Sequence, residues 1–295
     1  MCSLPRRTWL GSVAGALLAL ALGCSRGRGA PPGELPRNPR RIVSLSPSTT
    51  ETLFALGVGG RLVGRSRYCD YPPEVAALPV VGGFVDASFE AILGLLPDLV
   101  VGAQGPAGRA LVDRLEALGI ATFFPRTESM SEIDSMMSDL AAKLGVLEQG
   151  RALVDRVRAR RESVARALRG EPRPRTLLVF GLSPIVVAGP GGFPDEMLGL
   201  AAAENVIAAG GPYPTVNIEH LLGLDPDLIV DARSARSHEG SGRIDRGEPG
   251  WRELRAVRAG RVVALREDAA LRPGPRIGEG LAALARAIHP GSRVP

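Results

Sequence analysis

Short apolar runs alternate along this chain with segments in which apolar residues recur at helical spacing. The run at 41–45, "RIVSL", predicts a strand, and "STTETLFALG" at 48–57 has the Ser/Thr start and Gly end of a helix. The same alternation continues as far as Pro125. Because strands that alternate with helices usually pair in parallel, the pattern predicts an N-terminal α/β lobe over 41–128.

A proline-free stretch follows, between Pro125 and Pro172. Its two helical segments predict linking helices over 129–171, the second of them long enough to be a rigid backbone helix. That helix has an arginine-rich face and an opposite face of apolar residues at helical spacing, namely Leu153, Val157, Val164 and Leu168. A long helix with one solvent-exposed face indicates a rigid connection between two lobes.

The pattern of strands and helices restarts after the proline-free stretch. "RTLLVFGL" at 175–182 predicts a strand, "RVVAL" at 261–265 a late strand, and "PRIGEGLAALARAIH" at 275–289 a closing helix. We therefore predict a C-terminal α/β lobe over 172–295. The expected fold class is α/β, with two Rossmann-like lobes joined by a long rigid helix.

One phrase occurs in both predicted lobes. "FEAILGLLPDLVV" at 89–101 pairs with "IEHLLGLDPDLIV" at 218–230, and the pairs include Glu90 with Glu219. The repeat could be only a folding unit, with a helix capped by Ser88, a Pro-Asp turn and a strand, and with a glutamate that complements the helix dipole. Alternatively, two matched exposed acids could bind a two-fold symmetric partner.

The N-terminus has the layout of an export signal. Arg6 and Arg7 precede the apolar run "WLGSVAGALLALALG", which ends at Cys24. "LALGC" resembles a bacterial lipobox, which predicts a lipoprotein signal peptide over 1–23 and lipidation of Cys24. A Gly/Pro/Arg-rich tether over 24–40 would follow, so we expect a periplasmic protein held to the membrane by its lipid alone.

Charge and cysteine content narrow the classes of function. The net charge is +5, but the arginines are spread along the chain, and we expect no nucleic-acid partner. Cys2 and Cys24 belong to the export segment, which leaves Cys69 as the single cysteine of the mature folded domain. No internal disulfide is therefore expected.

Candidate catalytic and metal-binding patterns are weak. The 3 histidines are far apart in sequence, and the chain has no HExxH, CxxC or GxSxG. We predict no catalytic residues, no metal site and no cofactor, although an enzyme on this fold stays a less favoured alternative.

Aromatic residues stand out because they make up only 4% of the chain. Tyr68 and Tyr71 lie in "SRYCDYPP", Phe84 in "GGFVDAS" and Tyr213 in "GGPYPTVNIE". Each could pack on its own lobe or line a cleft. Since Tyr68, Phe84 and Tyr213 precede the repeated helix of their lobe, the placement favours a cleft between the lobes.

These phrases, with "RIVSLSPSTTE", "ENVI" and "PGPRI", resemble the periplasmic substrate-binding proteins of ABC importers that have a helical backbone. Within that family they are most similar to the members that bind cobalamin. The resemblance implies a corrinoid ligand between the lobes and a partner made of a permease dimer with its ATPase subunits. It also implies that Glu90 and Glu219 dock the protein on arginine-containing pockets of the permease.

The resemblance further implies a set of ligand-binding positions: Tyr68, Phe84, Phe180, Tyr213, Asp268 and Arg272. Ala269 and Ala270 replace a bulky aromatic pair of the family, which predicts a roomier pocket. Haem or an iron-siderophore stays open as the alternative ligand, because Tyr68 or Tyr71 could serve as an axial ligand of haem iron.

Overall fold

The computed structural model describes residues 38–83, 86–105, 108–233, 244, 249–267, 269 and 272–295. The predicted signal peptide, Cys24 and all but the last three residues of the predicted tether lie outside these residues. Among the described residues, no helix combines the length and the apolar character needed to cross a membrane.

The N-terminal lobe is a parallel four-stranded sheet with helices on its faces. Its strands are β1 (Ile42–Ser44), β2 (Leu62–Arg65), β3 (Leu99–Val101) and β4 (Ala121–Phe123), in the order β2-β1-β3-β4. Its helices are α1 (Pro47–Ala55), α2 (Phe89–Gly94) and α3 (Gly108–Ala117). Ser88 caps α2, as predicted, whereas α1 begins at Pro47 and is capped by Ser46, two residues before the predicted start at Ser48.

Two antiparallel-packed helices follow this lobe, α4 (Met130–Lys143) and α5 (Leu147–Ala167). Helix α5 has 21 residues and is therefore about 32 Å long. All four of its predicted apolar residues are buried. One arginine departs from the expected solvated face, because Arg161 is buried and its Nη2 donates to both Asp134 carboxylate oxygens, at 3.0 and 2.8 Å.

The C-terminal lobe has a six-stranded sheet. Its strands are β5 (Arg175–Leu182), β6 (Ile185–Val187), β7 (Glu204–Asn205), β8 (Thr215–Val216), β9 (Leu228–Asp231) and β10 (Val262–Ala264). Its helices are α6 (Phe193–Leu200), α7 (Ile218–Leu224), α8 (Arg255–Arg258) and α9 (Ile277–Ile288).

This second sheet is mixed, whereas alternation alone indicates parallel strands. β9 and β10 extend β5 in parallel, but β6 returns antiparallel to β5 after the two residues Ser183 and Pro184, and β8 pairs antiparallel with β6. Strands of three and two residues are too short to show a period in the sequence. The predicted fold class, two α/β lobes joined by a long helix, is confirmed.

The central strands β1, β3 and β9 are fully buried, and the inner faces of the two sheets share one core. In β1, Ile42 points to this shared core, whereas Val43 points to the outer core of its own lobe. Leu178 of β5 joins the same shared core through apolar residues of α4, α5 and α9. Because close-packed side chains connect the two lobes, the linking helices act as a strut.

Candidate ligand-binding cleft

The loop that follows the carboxyl end of β2 presents Tyr68 and Tyr71 to solvent, with 46% and 43% of their surface exposed. Arg65 fixes this loop, because its Nη1 donates to the Cys69 carbonyl at 3.0 Å. The Cys69 side chain is fully buried and lies 3.2 Å from the Ser66 hydroxyl. Burial raises the pKa of the Cys69 thiol, so this cysteine anchors the loop as a neutral group.

Beside Tyr68, Arg67 forms an ion pair with Asp86 at 2.7 Å. Its guanidinium carbon lies 6.0 Å from the centre of the Tyr68 ring. The hydrogen bond from Arg67 lowers the pKa of Asp86, so the carboxylate stays charged in mildly acidic solution. The Tyr68 ring therefore lies next to a charged pair that is itself open to solvent.

In the C-terminal lobe, Phe180 and Tyr213 form an aromatic pair. Their ring centres are 5.6 Å apart and the ring planes are inclined by 58°. The Tyr213 loop is fixed by the hydrogen bond from the Gly189 amide to the Pro212 carbonyl, at 3.0 Å. A side chain at Gly189 would collide with the Pro214 ring, so glycine is required for this close approach. Tyr213 keeps 37% of its surface exposed.

A cluster of charged residues connects the lobes. Glu51, on α1, has only 1% of its side chain exposed. Its Oε1 accepts hydrogen bonds from Nη1 of Arg272 at 2.9 Å and from Nη2 of Arg276 at 2.7 Å. Arg272 also pairs with Asp70 at 2.7 Å, and the Arg276 guanidinium stacks 3.8 Å from the centre of the Tyr71 ring.

This cluster compensates a charge that would otherwise be costly to bury. An unpaired carboxylate with the burial of Glu51 would lose most of its hydration, and the two guanidinium groups replace that hydration. Burial is the largest single influence and acts to lower the pKa of Arg276, but the hydrogen bonds to Glu51 and the attraction of its charge together outweigh burial, and the pKa is raised. The ion pairs hold the start of α9 against α1 and the tyrosine loop.

Four of the six predicted ligand-binding residues are described. Phe180 pairs with Tyr213, and Arg272 pairs with Asp70, which is two residues from Tyr68 in the same loop. Phe84 and Asp268 lie outside the described residues. The roles of all six in ligand binding stay predictions.

Sequence reasoning missed Glu51 and Arg276, although both lie in phrases that carried the resemblance. Glu51 is a lone acid within "STTETLF", where the neighbouring residues are hydroxyl-bearing or apolar. That isolation is a weak signal for a buried ion pair. Within the residues that the structure describes, no three His, Cys, Asp or Glu side chains converge as metal ligands would.

The two repeated glutamates both lie exposed in the first turn of their helices, Glu90 in α2 and Glu219 in α7. Ser88 caps the first helix by accepting from the Ala91 amide, and Asn217 caps the second by accepting from the His220 amide. The equivalent placement within the two lobes is therefore seen in the structure. Docking itself stays a prediction.

Comparison with known proteins places this geometry among periplasmic binding proteins. The family model described as "periplasmic binding protein" matches residues 42–269. A vitamin B12-binding protein of Yersinia pestis (strain Pestoides F) is 32% identical over 239 residues, which are 80% of this chain and 82% of that protein.

Solved structures agree with the sequence relatives. The vitamin B12-binding protein of Vibrio cholerae has a TM-score of 0.72 and 29% identity, covering 86% of this chain and 98% of that one. A periplasmic haem-binding protein of Roseiflexus sp. RS-1 has a TM-score of 0.74 and 30% identity, covering 85% and 98%. These similarities confirm the family resemblance, indicate a periplasmic location, and point to a transport component that binds a substrate.

Proposed function

This chain belongs to the periplasmic binding protein family, and we propose that it is the substrate-binding lipoprotein of an ABC importer. Its ligand is cobalamin or a related corrinoid, bound between the two lobes and released to a permease dimer that carries ATPase subunits. The corrinoid is cargo rather than a cofactor. Lipidation at Cys24 would keep the protein on the membrane near the importer.

The aromatic pair of Phe180 and Tyr213 is the observation that supports this ligand best. A corrin is a broad macrocycle with a large apolar face and amide side chains at its rim. Aromatic rings supply contact area to such a face, and a few fixed polar groups set its orientation. Tyr68 offers a further ring from the other lobe, and Arg272 and Asp70 offer polar groups near it.

Haem is the second candidate, and the exposed hydroxyl-bearing rings of Tyr68 and Tyr71 favour it, since a tyrosine can ligate haem iron. The net charge of the cluster that connects the lobes does not favour haem. Glu51 and Asp70 balance Arg272 and Arg276, so these four residues leave no net positive charge for the two carboxylates of haem. A corrinoid with neutral amide side chains suits a balanced cluster better.

Titration of the purified, ligand-free protein with cyanocobalamin and, separately, with haemin tests the proposal. We expect saturable one-to-one binding of cyanocobalamin by calorimetry and no saturable binding of haemin. A haemin spectrum that changes on binding and reverts in Tyr68→Phe or Tyr71→Phe, without any binding of cyanocobalamin, would establish the alternative. Conversion of either ligand during incubation, followed by mass spectrometry, would indicate an enzyme.

A further inference from the structure

In the N-terminal lobe, α2 carries Glu90 in its first turn, and one arginine, Arg41, binds the carbonyls at the C-terminal end of this helix. Nη2 of Arg41 donates to the Leu95 carbonyl at 2.7 Å, and its Nε donates to the Leu96 carbonyl at 3.1 Å. The backbone of Arg41 is tied to the turn as well, because its amide donates to Asp98 Oδ1 at 3.0 Å and its carbonyl accepts from the Asp98 amide at 2.9 Å. The end of α2 is therefore fixed to the start of β1.

The C-terminal lobe repeats this arrangement around the helix that carries Glu219. Nη2 of Arg175 donates to the Leu224 carbonyl at 2.8 Å, and its Nη1 donates to the Asp225 carbonyl at 3.2 Å. The Arg175 amide donates to Asp227 Oδ2 at 3.1 Å, and its carbonyl accepts from the Asp227 amide at 2.8 Å. In both lobes an arginine guanidinium therefore binds the two carbonyls at the end of the helix, and the backbone amide and carbonyl of the same arginine bind the aspartate of the Pro-Asp turn. Only the second guanidinium donor differs, Nε in Arg41 and Nη1 in Arg175.

The backbone turns that receive these arginines also match. Leu96 and Asp225 are equivalent in the repeat, and both adopt the left-handed conformation, with φ of 48° and 41°. This conformation ends a helix and leaves its last carbonyls in need of donors. A guanidinium group supplies two donors in one plane and a positive charge that complements the helix dipole.

These hydrogen bonds are important for the orientation of α2 and α7 because the two helices have only 6 and 7 residues. Helices this short are not stable in isolation, so their direction depends on contacts at their ends. One end is the cap beside the glutamate, and the other is the arginine, which in the C-terminal lobe is joined by Arg255, whose Nη2 donates to the Asp225 carbonyl at 3.3 Å and pairs with Asp227 at 2.7 Å. Neither arginine belongs to the repeated phrase, since Arg41 lies 48 residues before Phe89 and Arg175 lies 43 before Ile218.

We propose that Arg41 and Arg175 are a matched pair of positioning residues for docking. They fix the directions of α2 and α7 so that Glu90 and Glu219 meet equivalent sites on a two-fold symmetric importer at the same time. This inference rests on the proposed docking role of the two glutamates. A partner with two fixed sites tolerates little error in the distance between the acids, because both contacts must form together.

The test compares Arg41→Gln/Arg175→Gln with Arg40→Gln/Arg258→Gln, which removes the same charge from exposed side chains that form no hydrogen bond or ion pair within the described part of the chain. Binding of the cyanocobalamin-loaded protein to a cobalamin ABC importer in lipid nanodiscs is the main measurement. The first variant should bind on the order of tenfold more weakly, the control normally, and both should keep their affinity for cyanocobalamin. Arg41→Lys/Arg175→Lys should recover part of the loss, since lysine still donates to the carbonyls.

A double-mutant cycle separates positioning from a general loss of stability. In a Glu90→Ala/Glu219→Ala background the arginine changes should have no further effect on importer binding, because the arginines act through the glutamates. Hydrogen exchange should become faster at 89–96 and 218–225 in the arginine variant and stay unchanged elsewhere.

The outcomes also separate this inference from the docking proposal. If the glutamate pair does not affect importer binding, docking and positioning are both wrong. If the glutamates matter but the arginine variant binds normally, or if it loses the same affinity in both backgrounds, the positioning role alone is wrong.

Discussion

Glu51 and Arg276 form an ion pair between α1 and the start of α9, with Oε1 and Nη2 separated by 2.7 Å. A second bond, from Arg276 Nε to Glu51 Oε2 at 2.9 Å, makes the pair bidentate. Bidentate pairs of this kind are stronger and more directional than single contacts. The pair therefore fixes how the first helix of one lobe meets the last helix of the other.

Glu51→Gln should destabilise the protein by about 3 kcal/mol, because it leaves two partly buried guanidinium groups without their shared carboxylate. Urea unfolding followed by circular dichroism would measure this as a lower midpoint with an unchanged slope. Glu74→Gln is the matched control, since Glu74 is exposed, and it should leave the midpoint unchanged. Equal midpoints for the two variants would show that the cluster adds nothing to stability.

Tyr68→Ala and Tyr213→Ala should each weaken cyanocobalamin binding by about thirtyfold, or about 2 kcal/mol, because each removes a ring from a site that the ligand desolvates. Calorimetry is the measurement. Tyr213→Phe should bind nearly normally, since it keeps the ring that packs on Phe180. Unchanged affinity in both alanine variants would rule out an aromatic cleft for this ligand.

Local patterns predicted the elements of the fold because periodicity, caps and turns act over a few residues. The repeated phrase gave the two helices, the Ser88 cap and the exposure of both glutamates. Local patterns could not predict the partners of Glu51, since Arg272 and Arg276 lie 221 and 225 residues further along the chain. The hairpin of β5 and β6 was missed for a different reason, because β6 has only 3 residues.

For the candidate site, too, the sequence indicates individual residues but not the contacts between residues that are distant in the chain. The family resemblance named Phe180 and Tyr213, and the structure shows that they form a pair. It did not name the arginines that fasten α2 and α7, because each acts on a carbonyl that is distant in sequence. Long-range hydrogen bonds to the backbone carry no residue-type signal on the acceptor side, so only the folded chain reveals them.

Cys24→Ala should release the protein from the membrane fraction or leave it uncleaved, if Cys24 is the lipidated residue. Membrane fractionation with mass spectrometry of the mature N-terminus would show this. Cys2→Ala is the matched control, since Cys2 lies in the same export segment but ahead of the apolar run, and it should fractionate as the unchanged protein does. A Cys24→Ala protein that stays in the membrane fraction with a normal N-terminus would contradict lipidation.

Glu90→Ala/Glu219→Ala should abolish most importer binding while leaving folding and ligand affinity nearly intact. Each glutamate is exposed in the first turn of a short helix, so its loss should lower the melting temperature by only about 2 °C. Loss of two charge pairs with arginines at a desolvated interface should weaken importer binding by on the order of a hundredfold.

The single variants carry the information about symmetry. If the importer offers two equivalent pockets, Glu90→Ala and Glu219→Ala should each give a partial loss of similar size. Glu148→Ala is the control, because Glu148 is also an exposed glutamate in the first turn of a helix but belongs to the backbone helix α5. Charge reversal, Glu90→Arg/Glu219→Arg, should be worse than alanine, since like charges would then meet at the contact. Normal transport by the double alanine variant would leave the repeated glutamate as a helix-start residue and nothing more.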